Sequence, residues 1–198
     1  MYYWNKKSFV ILALTLVFSF IPLSSSLAKK GLSKQDKEIQ KTIKILVNAV
    51  RYGKGKLAHQ QLDYMEMGKI IMGPYWKEMT AVQQKKLAAG IKNINNKSSF
   101  PKSKKVFKHL SNIIYQKPRV KKGKKLCKTV IIVYQNYKKK EYVIDFQLKK
   151  SKGKWKIIEM YMLGEGSLAG IHQDQVKPLY KKGGIKMIMA KVAEMSKK

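Results

Sequence analysis

Glu141-Tyr142-Val143-Ile144-Asp145-Phe146-Gln147-Leu148 has a period of two: Tyr142, Ile144, Phe146 and Leu148 point one way, Val143, Asp145 and Gln147 the other. The first set is expected to face an interior, and such a strand needs neighbours to pair with. Residues 113–115, 127–134 and 155–163 supply them, being rich in β-branched and aromatic side chains and separated by turns that carry Lys or Gly. Together they predict a four-stranded antiparallel meander.

Towards the N-terminus the period lengthens to that of a helix. Ser33-Lys34-Gln35-Asp36 has the form of a capping box with Asp in its fourth place, and Ile39, Ile43, Leu46, Val47 and Val50 come after it at helical spacing, so a helix is expected over 34–52. Gly53 and Gly55 break it. A second helical region over 57–72 stops at Gly73-Pro74. Thr80-Ala81-Val82-Gln83 is another capping box, opening a helix with Leu87, Ile91 and Ile94 on one face that ends at Asn95-Asn96. Residues 101–112 are expected as a short helix. Beyond the meander, Gly164-Glu165-Gly166-Ser167-Leu168 forms a turn in which Ser167 can cap the next helix. A helix over 175–182 then ends at Gly183-Gly184, and Ile185, Ile188, Met189, Val192 and Met195 stripe a last one. The pattern contains no internal repeat and no second domain.

The chain has 198 residues and a formal net charge of +32, and only Arg51 and Arg119 among its 43 basic residues are arginine. Hydrophobic residues make up 44% of it, enough for a packed core rather than a disordered basic tail. The single cysteine, Cys127, excludes an intramolecular disulfide and a Cys-rich zinc site. Lys6 and Lys7 precede an apolar stretch over 9–23, and Ser26-Leu27-Ala28 offers small residues at a cut site. Those apolar residues would span only about 22 Å of a roughly 30 Å hydrocarbon core. A secretory signal over 1–28, cleaved after Ala28, is expected, leaving a single exported domain over 29–198. An exported protein meets anionic headgroups more readily than chromosomal DNA, and arginine, the bidentate reader of guanine, is nearly absent, so nucleic acid is not the expected partner.

Nothing in the sequence carries a catalytic signature: there is no P-loop, G-x-S-x-G elbow, H-E-x-x-H or CxxC. No metal site or cofactor is expected, because His59, His109 and His172 are scattered, and Cys127 reads as a buried hydrophobe. Asp145, a conceivable general base, alternates away from the aromatic face. The turn lysines carry more information. Lys121, Lys122, Lys124 and Lys125 precede the second strand, and Lys149, Lys150, Lys152 and Lys154 separate the third from the fourth, which in a meander is one end of the sheet. These eight are candidates for docking on an anionic membrane surface or an acidic partner, with Lys138, Lys139 and Lys140 at the opposite end.

Two stretches resemble a known family. Leu62-Asp63-Tyr64-Met65 through Met72-Gly73-Pro74-Tyr75-Trp76 and then Thr80-Ala81-Val82-Gln83-Gln84 is similar to the D-[FY]-x-x-M…L-G-x-x-W…T-x-x-Q pattern of the toluene-tolerance or MlaC family. Trp155-Lys156-Ile157-Ile158-Glu159, Glu165-Gly166-Ser167-Leu168, Gln175 and Gly183 resemble that family's ending, with Glu159 where Asp is usual. The resemblance implies an α+β fold in which helices pack on a curved four-stranded antiparallel sheet and enclose an apolar cavity. It implies a soluble periplasmic phospholipid carrier and not an enzyme, one that meets an inner-membrane ABC transporter complex and an outer-membrane lipoprotein complex and maintains outer-membrane lipid asymmetry. The cavity candidates are then Trp76, Ile71, Leu87, Ile91, Ile131, Val133, Tyr142, Ile144, Phe146, Met160 and Met162. Two sixteen-carbon chains left in water would cost on the order of 20 kcal/mol, so a soluble carrier has to enclose them. Two other classes are compatible with the residues: an exported basic polyanion- or surface-binding protein without a cavity, and a small enzyme of conical α+β fold acting on a hydrophobic substrate.

Overall fold

The structure is a computed structural model, and it describes residues 31–121, 123–162 and 167–197. The expected signal with its cut after Ala28, Lys122, and Gly164-Glu165-Gly166 of the C-terminal turn lie outside the described residues. Of Lys121 and Met162 only the backbone is described.

Helix α1 (Lys34–Arg51) begins where the sequence predicts. Ser33 caps it by accepting from the Asp36 N–H at 3.1 Å, and Ile39, Ile43, Leu46 and Val47 form its buried stripe. The expected second helix is in fact two pieces, α2 (Gly55–His59) and α3 (Tyr64–Met72). They are separated because the chain between them is drawn to the sheet. Ile157 N–H donates to the Gln61 carbonyl at 2.8 Å and Asp63 N–H to the Ile157 carbonyl at 3.0 Å, so Leu62 lies parallel to β5 (Lys154–Met162). Asp63 then caps α3, its carboxylate accepting from the Glu66 N–H at 3.1 Å. The two sequence stretches that carry the family resemblance therefore meet at this bridge.

A short 3-10 turn (Gly73–Glu78) leads to α4 (Ala81–Ile94), whose capping box is complete. Gln83 N–H donates to the Thr80 hydroxyl at 3.2 Å, and Thr80 N–H donates to the Gln83 side chain at 2.8 Å. Asn95-Asn96 does not end this helix. The chain continues through a π turn (Asn95–Ser99) into α5 (Phe100–Phe107). Pro101 has no N–H to offer the Lys97 carbonyl and its ring would crowd that carbonyl, and the wider turn relieves the conflict without breaking the rod. The same device recurs before Pro178, where α6 (Leu168–Ile171) passes through a π turn (His172–Val176) into α7 (Lys177–Lys197). Within α7 the helix is interrupted at Gly183 and Gly184, the latter with φ 61°, as the glycine pair predicts. The short helix expected over 101–112 stops at Phe107, and residues 110–112 already belong to a strand.

The sheet is the predicted antiparallel meander, with strand order β1 (Leu110–Tyr115), β3 (Lys124–Gln135), β4 (Lys138–Ser151), β5. One strand was not expected: β2 (Arg119–Lys121) folds back on the start of β3, pairing Arg119 with Leu126 and Val120 with Lys125. Register shifts between Leu110 and Asn112 and between Gln147 and Leu148 mark two irregularities of the kind that bends a strand. On the inner face Phe146 lies between Cys127 and Met160, and Ile144 is flanked by Thr129. Ile144, Phe146 and Leu148 are buried and Tyr142 half-buried, as the period of two requires. Asp145 points to the other face, in register with Lys128 and Tyr161, and is buried there beside the Tyr161 hydroxyl.

Candidate functional site

The apolar interior divides into two clusters. The larger joins Ile39, Ile43, Leu46 and Val47 of α1 and Phe100 and Phe107 of α5 to Ile131, Val133, Ile144 and Phe146 of the sheet, with Tyr142 and Met160 half-buried against it. The smaller is all helical: Met72, Met79, Leu87, Val176 and Ile188, with Ile71 and Trp76 packed on it. The cavity candidates are therefore not one lining. Ile131, Val133, Tyr142, Ile144, Phe146 and Met160 share the sheet cluster; Ile71, Trp76 and Leu87 belong to the helical one; Ile91 touches both. The backbone of Met162 continues the inner row opposite Ile144.

Trp76 is held in the helical cluster by a close approach. A Cβ on Gly68 would stand 3.0 Å from the Trp76 ring and 3.4 Å from Leu87, so the absence of a side chain there seats the indole on α3. Gly73, with φ 56°, lets the chain turn where a Cβ would meet the His172 ring at 2.9 Å. His172 is buried and its Nδ1 donates to the Ile71 carbonyl at 2.8 Å, tying the C-terminal π turn to the end of α3. His172 thus acts as a structural clamp, and Gly73 is what makes room for it.

Two buried donors on the sheet side have no hydrogen-bond partner among the described residues: the Tyr115 hydroxyl and the Trp155 indole N–H, both on side chains packed against the larger cluster. Burial pushes the Tyr115 hydroxyl up to about 12, the neighbouring Cys127 adding to the shift. Cys127 is fully buried, and its Sγ–H donates weakly to the Gln116 carbonyl at 3.5 Å. Its thiol is pushed up to about 11 by burial first and then by Asp36 and Asp145, so it is the inert hydrophobe its strand position predicts.

Two open pockets lie elsewhere. One of about 580 Å³ is lined by Gly55, Lys56, His59, Gln60, Lys92 and Asn96. A second, about 280 Å³, shares Gly55 and Asn96 with it and continues over Val50, Phe100 and Pro101 to Lys104. Neither is lined by any cavity candidate. By sequence alone His59 is an ordinary solvated or satisfied histidine. The signal that sequence lacks is the π turn, which brings Asn95 and Asn96 to the end of α2. His59 Nδ1 lies 2.5 Å from the Tyr64 hydroxyl, and the ring packs tilted by 39° against Phe100 at a centroid distance of 5.0 Å. Burial raises the Tyr64 hydroxyl to about 12, an Asn95 hydrogen bond opposing the shift, so this hydroxyl stays protonated and donates to Nδ1. With Nδ1 accepting, the proton of the neutral ring lies on Nε2. Burial and then the Lys92 charge lower the His59 pKa, keeping the ring neutral near pH 7.

Among the described residues, Lys124, Lys125, Lys149, Lys150, Lys152 and Lys154 lie at one end of the sheet, since Lys125 pairs with Leu148, Lys149 with Lys156 and Ser151 with Lys154. They are not equivalent. Lys149 Nζ is 2.9 Å from a Glu66 carboxylate oxygen, Lys124 and Lys125 are half-buried, and Lys150, Lys152 and Lys154 are exposed. The turn Lys152-Gly153, with φ 48° and 78°, presents the last two at the hairpin tip. At the opposite end Lys139 pairs with Glu141 at 2.6 Å.

Against solved structures, the chain is similar to a phospholipid-binding protein from Ralstonia solanacearum determined in complex with a phospholipid. The TM-score is 0.67 at 16% identity, over 83% of this chain and 97% of that one. At that identity the likeness shows the fold: helices on an open antiparallel sheet. A second solved chain, an NTF2-named one, aligns over 66% of this chain with a TM-score of 0.41 and bears no weight. No curated protein matches the sequence. The family model described as MlaC protein matches residues 32–194, nearly the whole described body, and the chain belongs to the MlaC family.

Proposed function

We propose that this protein is an exported phospholipid carrier of the periplasm, its leader removed after Ala28, that holds acyl chains between the sheet and the helices. It passes its cargo between an inner-membrane ABC transporter complex and an outer-membrane lipoprotein complex. Family membership supports lipid binding, and so does the phospholipid held by the Ralstonia solanacearum protein of the same fold. The observation that carries the reading in this chain is the inner face of the sheet. It is apolar along β3 and β4, yet two donors beside it, on Tyr115 and Trp155, have no partner among the described residues. Buried donors left unpaired cost stability, and the ester oxygens of a lipid are acceptors of the kind they lack. Such a carrier works by enclosure and needs no catalytic group.

Gently purified protein is expected to release phospholipid on extraction, identified by mass spectrometry. Tyr115→Phe keeps the ring but removes the donor. It should lower lipid content or weaken uptake from vesicles by about fivefold, the worth of one hydrogen bond, while the melting temperature holds or rises. Phe146→Asp is a poorer test, because Phe146 is fully buried at the centre of the larger cluster and a carboxylate there would cost the fold itself. Protein that carries no lipid and takes none from vesicles would overturn the reading.

A further inference from the structure

The pocket beside α2 is lined by none of the cavity candidates, and its lining has one chemical character. Lys56 and Lys92 bring two ammonium groups, Gln60 and Asn96 bring amides, and no carboxylate is among the lining residues. Asn96, whose side chain interacts with His59, has an amide NH₂ that can donate into the pocket. His59 is itself positioned from behind by the Tyr64 hydroxyl and packed in a tilted contact against Phe100. The wall therefore combines two exposed ammonium groups with two amides, of which Asn96 is linked through His59 to the Tyr64 hydroxyl.

The shape adds a second feature. The adjoining pocket carries Val50, Phe100 and Pro101, so the cationic hollow opens on an apolar shelf. An anion with several acceptor oxygens suits the hollow, and an ester substituent suits the shelf. Lysine, a compact point charge, satisfies a tetrahedral oxyanion without the planar geometry arginine would impose.

We propose that the pocket formed by Lys56, His59, Gln60, Lys92 and Asn96 binds the phosphate of a phosphate ester, with Val50 and Phe100 contacting the ester's apolar part. Lys56 and Lys92 neutralise the phosphate, Asn96 donates to it, and His59 positions Asn96. The source of the phosphate is either a lipid headgroup or a soluble phosphate. Val50 and Phe100 belong to the larger cluster, but the groups that hold the phosphate are not cavity candidates, so loss of phosphate binding is read separately from loss of acyl-chain uptake.

Calorimetric titration of the full-length protein, freed of lipid, tests it with two probes: inorganic phosphate, and dihexanoylphosphatidylglycerol below its micelle concentration. The unmodified protein should bind at least one of them. Lys56→Gln with Lys92→Gln should weaken that binding by about tenfold, because both charges are removed from one pocket. The charge-matched control, Lys37→Gln with Lys41→Gln on the exposed face of α1, should change it by about twofold or less, acting only through a screened field. Asn96→Ala should weaken binding in the same direction with the net charge untouched. Tighter binding of the short lipid than of phosphate, with the increment lost in Phe100→Ser, identifies a lipid headgroup as the source. Equal affinities identify a soluble phosphate. No binding of either probe, or equal losses in the pocket pair and the control pair, would overturn the proposal.

Discussion

At the scale of single residues, burial rather than partnership governs Cys127 and Tyr115. Cys127 and Tyr115 face each other's field inside the sheet cluster, and their acid forms are favoured there because a thiolate or phenolate would lose its hydration. The consequence for stability has a definite sign. The Cys127 thiol is raised from 9.0 to about 11 and the Tyr115 hydroxyl from 10.0 to about 12. Below pH 9 both states of the chain hold these protons and nothing is lost. Above it the unfolded chain releases them while the folded chain retains them, so stability should fall as pH rises through 9 to 11. Melting curves across that range are expected to show the decline, and Cys127→Ala should blunt its first part. A thiol reagent at pH 8 should label Cys127 only once the protein is denatured; rapid labelling of the folded protein would show that the thiol is reachable.

At the scale of elements, the contact between α4 and α7 depends on one missing side chain. A Cβ built on Gly90 would stand 2.4 Å from Val192 Cγ1, and valine is too stiff at χ1 to swing away cheaply. Alanine in place of Gly90 would gain about 1 kcal/mol of helix propensity but incur an overpacking penalty of about 1–3 kcal/mol. Gly90→Ala is therefore expected to lower the melting temperature, and adding Val192→Ala to recover part of the loss, a coupling that a double-mutant cycle would read. A rise in melting temperature for Gly90→Ala alone would mean the helices can part at no cost. The two π turns belong to this scale as well. Each sits just before a proline, and each sets a side chain where a regular helix would not: Asn96 towards His59, and His172 towards Ile71.

For the molecule as a whole, +32 on 198 residues ensures attraction to any anionic surface, and the question is whether position matters. The exposed trio Lys150, Lys152 and Lys154 sits at one end of the sheet, and Lys138, Lys139 and Lys140 at the other, where Glu141 already offsets one charge. Reversing the first trio to glutamate should weaken association with vesicles rich in anionic lipid by about threefold more than reversing the second, and the difference should fade as salt rises. Cosedimentation at two salt concentrations measures this. Equal losses from the two trios would reduce docking to net charge alone.

Much of this architecture was legible in the residues. The alternation of Tyr142, Ile144 and Phe146, the caps at Ser33, Thr80 and Ser167, and the break at Gly183-Gly184 all act over a few residues, and local pattern is enough to read them. The meander and the family resemblance came from the same source. What local pattern could not supply were features set by distant partners. Ile157 pulls Gln61 and Asp63 out of a helix they would otherwise continue, β2 exists only because β3 offers an edge, and Pro101 widens a turn instead of ending a rod. The division of the cavity candidates into two clusters depends on where α4 and α7 pack, through Gly68 and Gly90. The chain by itself determined which residues are apolar and at what period; only the tertiary structure decided which apolar faces meet, because contact between elements far apart in sequence is settled by volume and backbone approach.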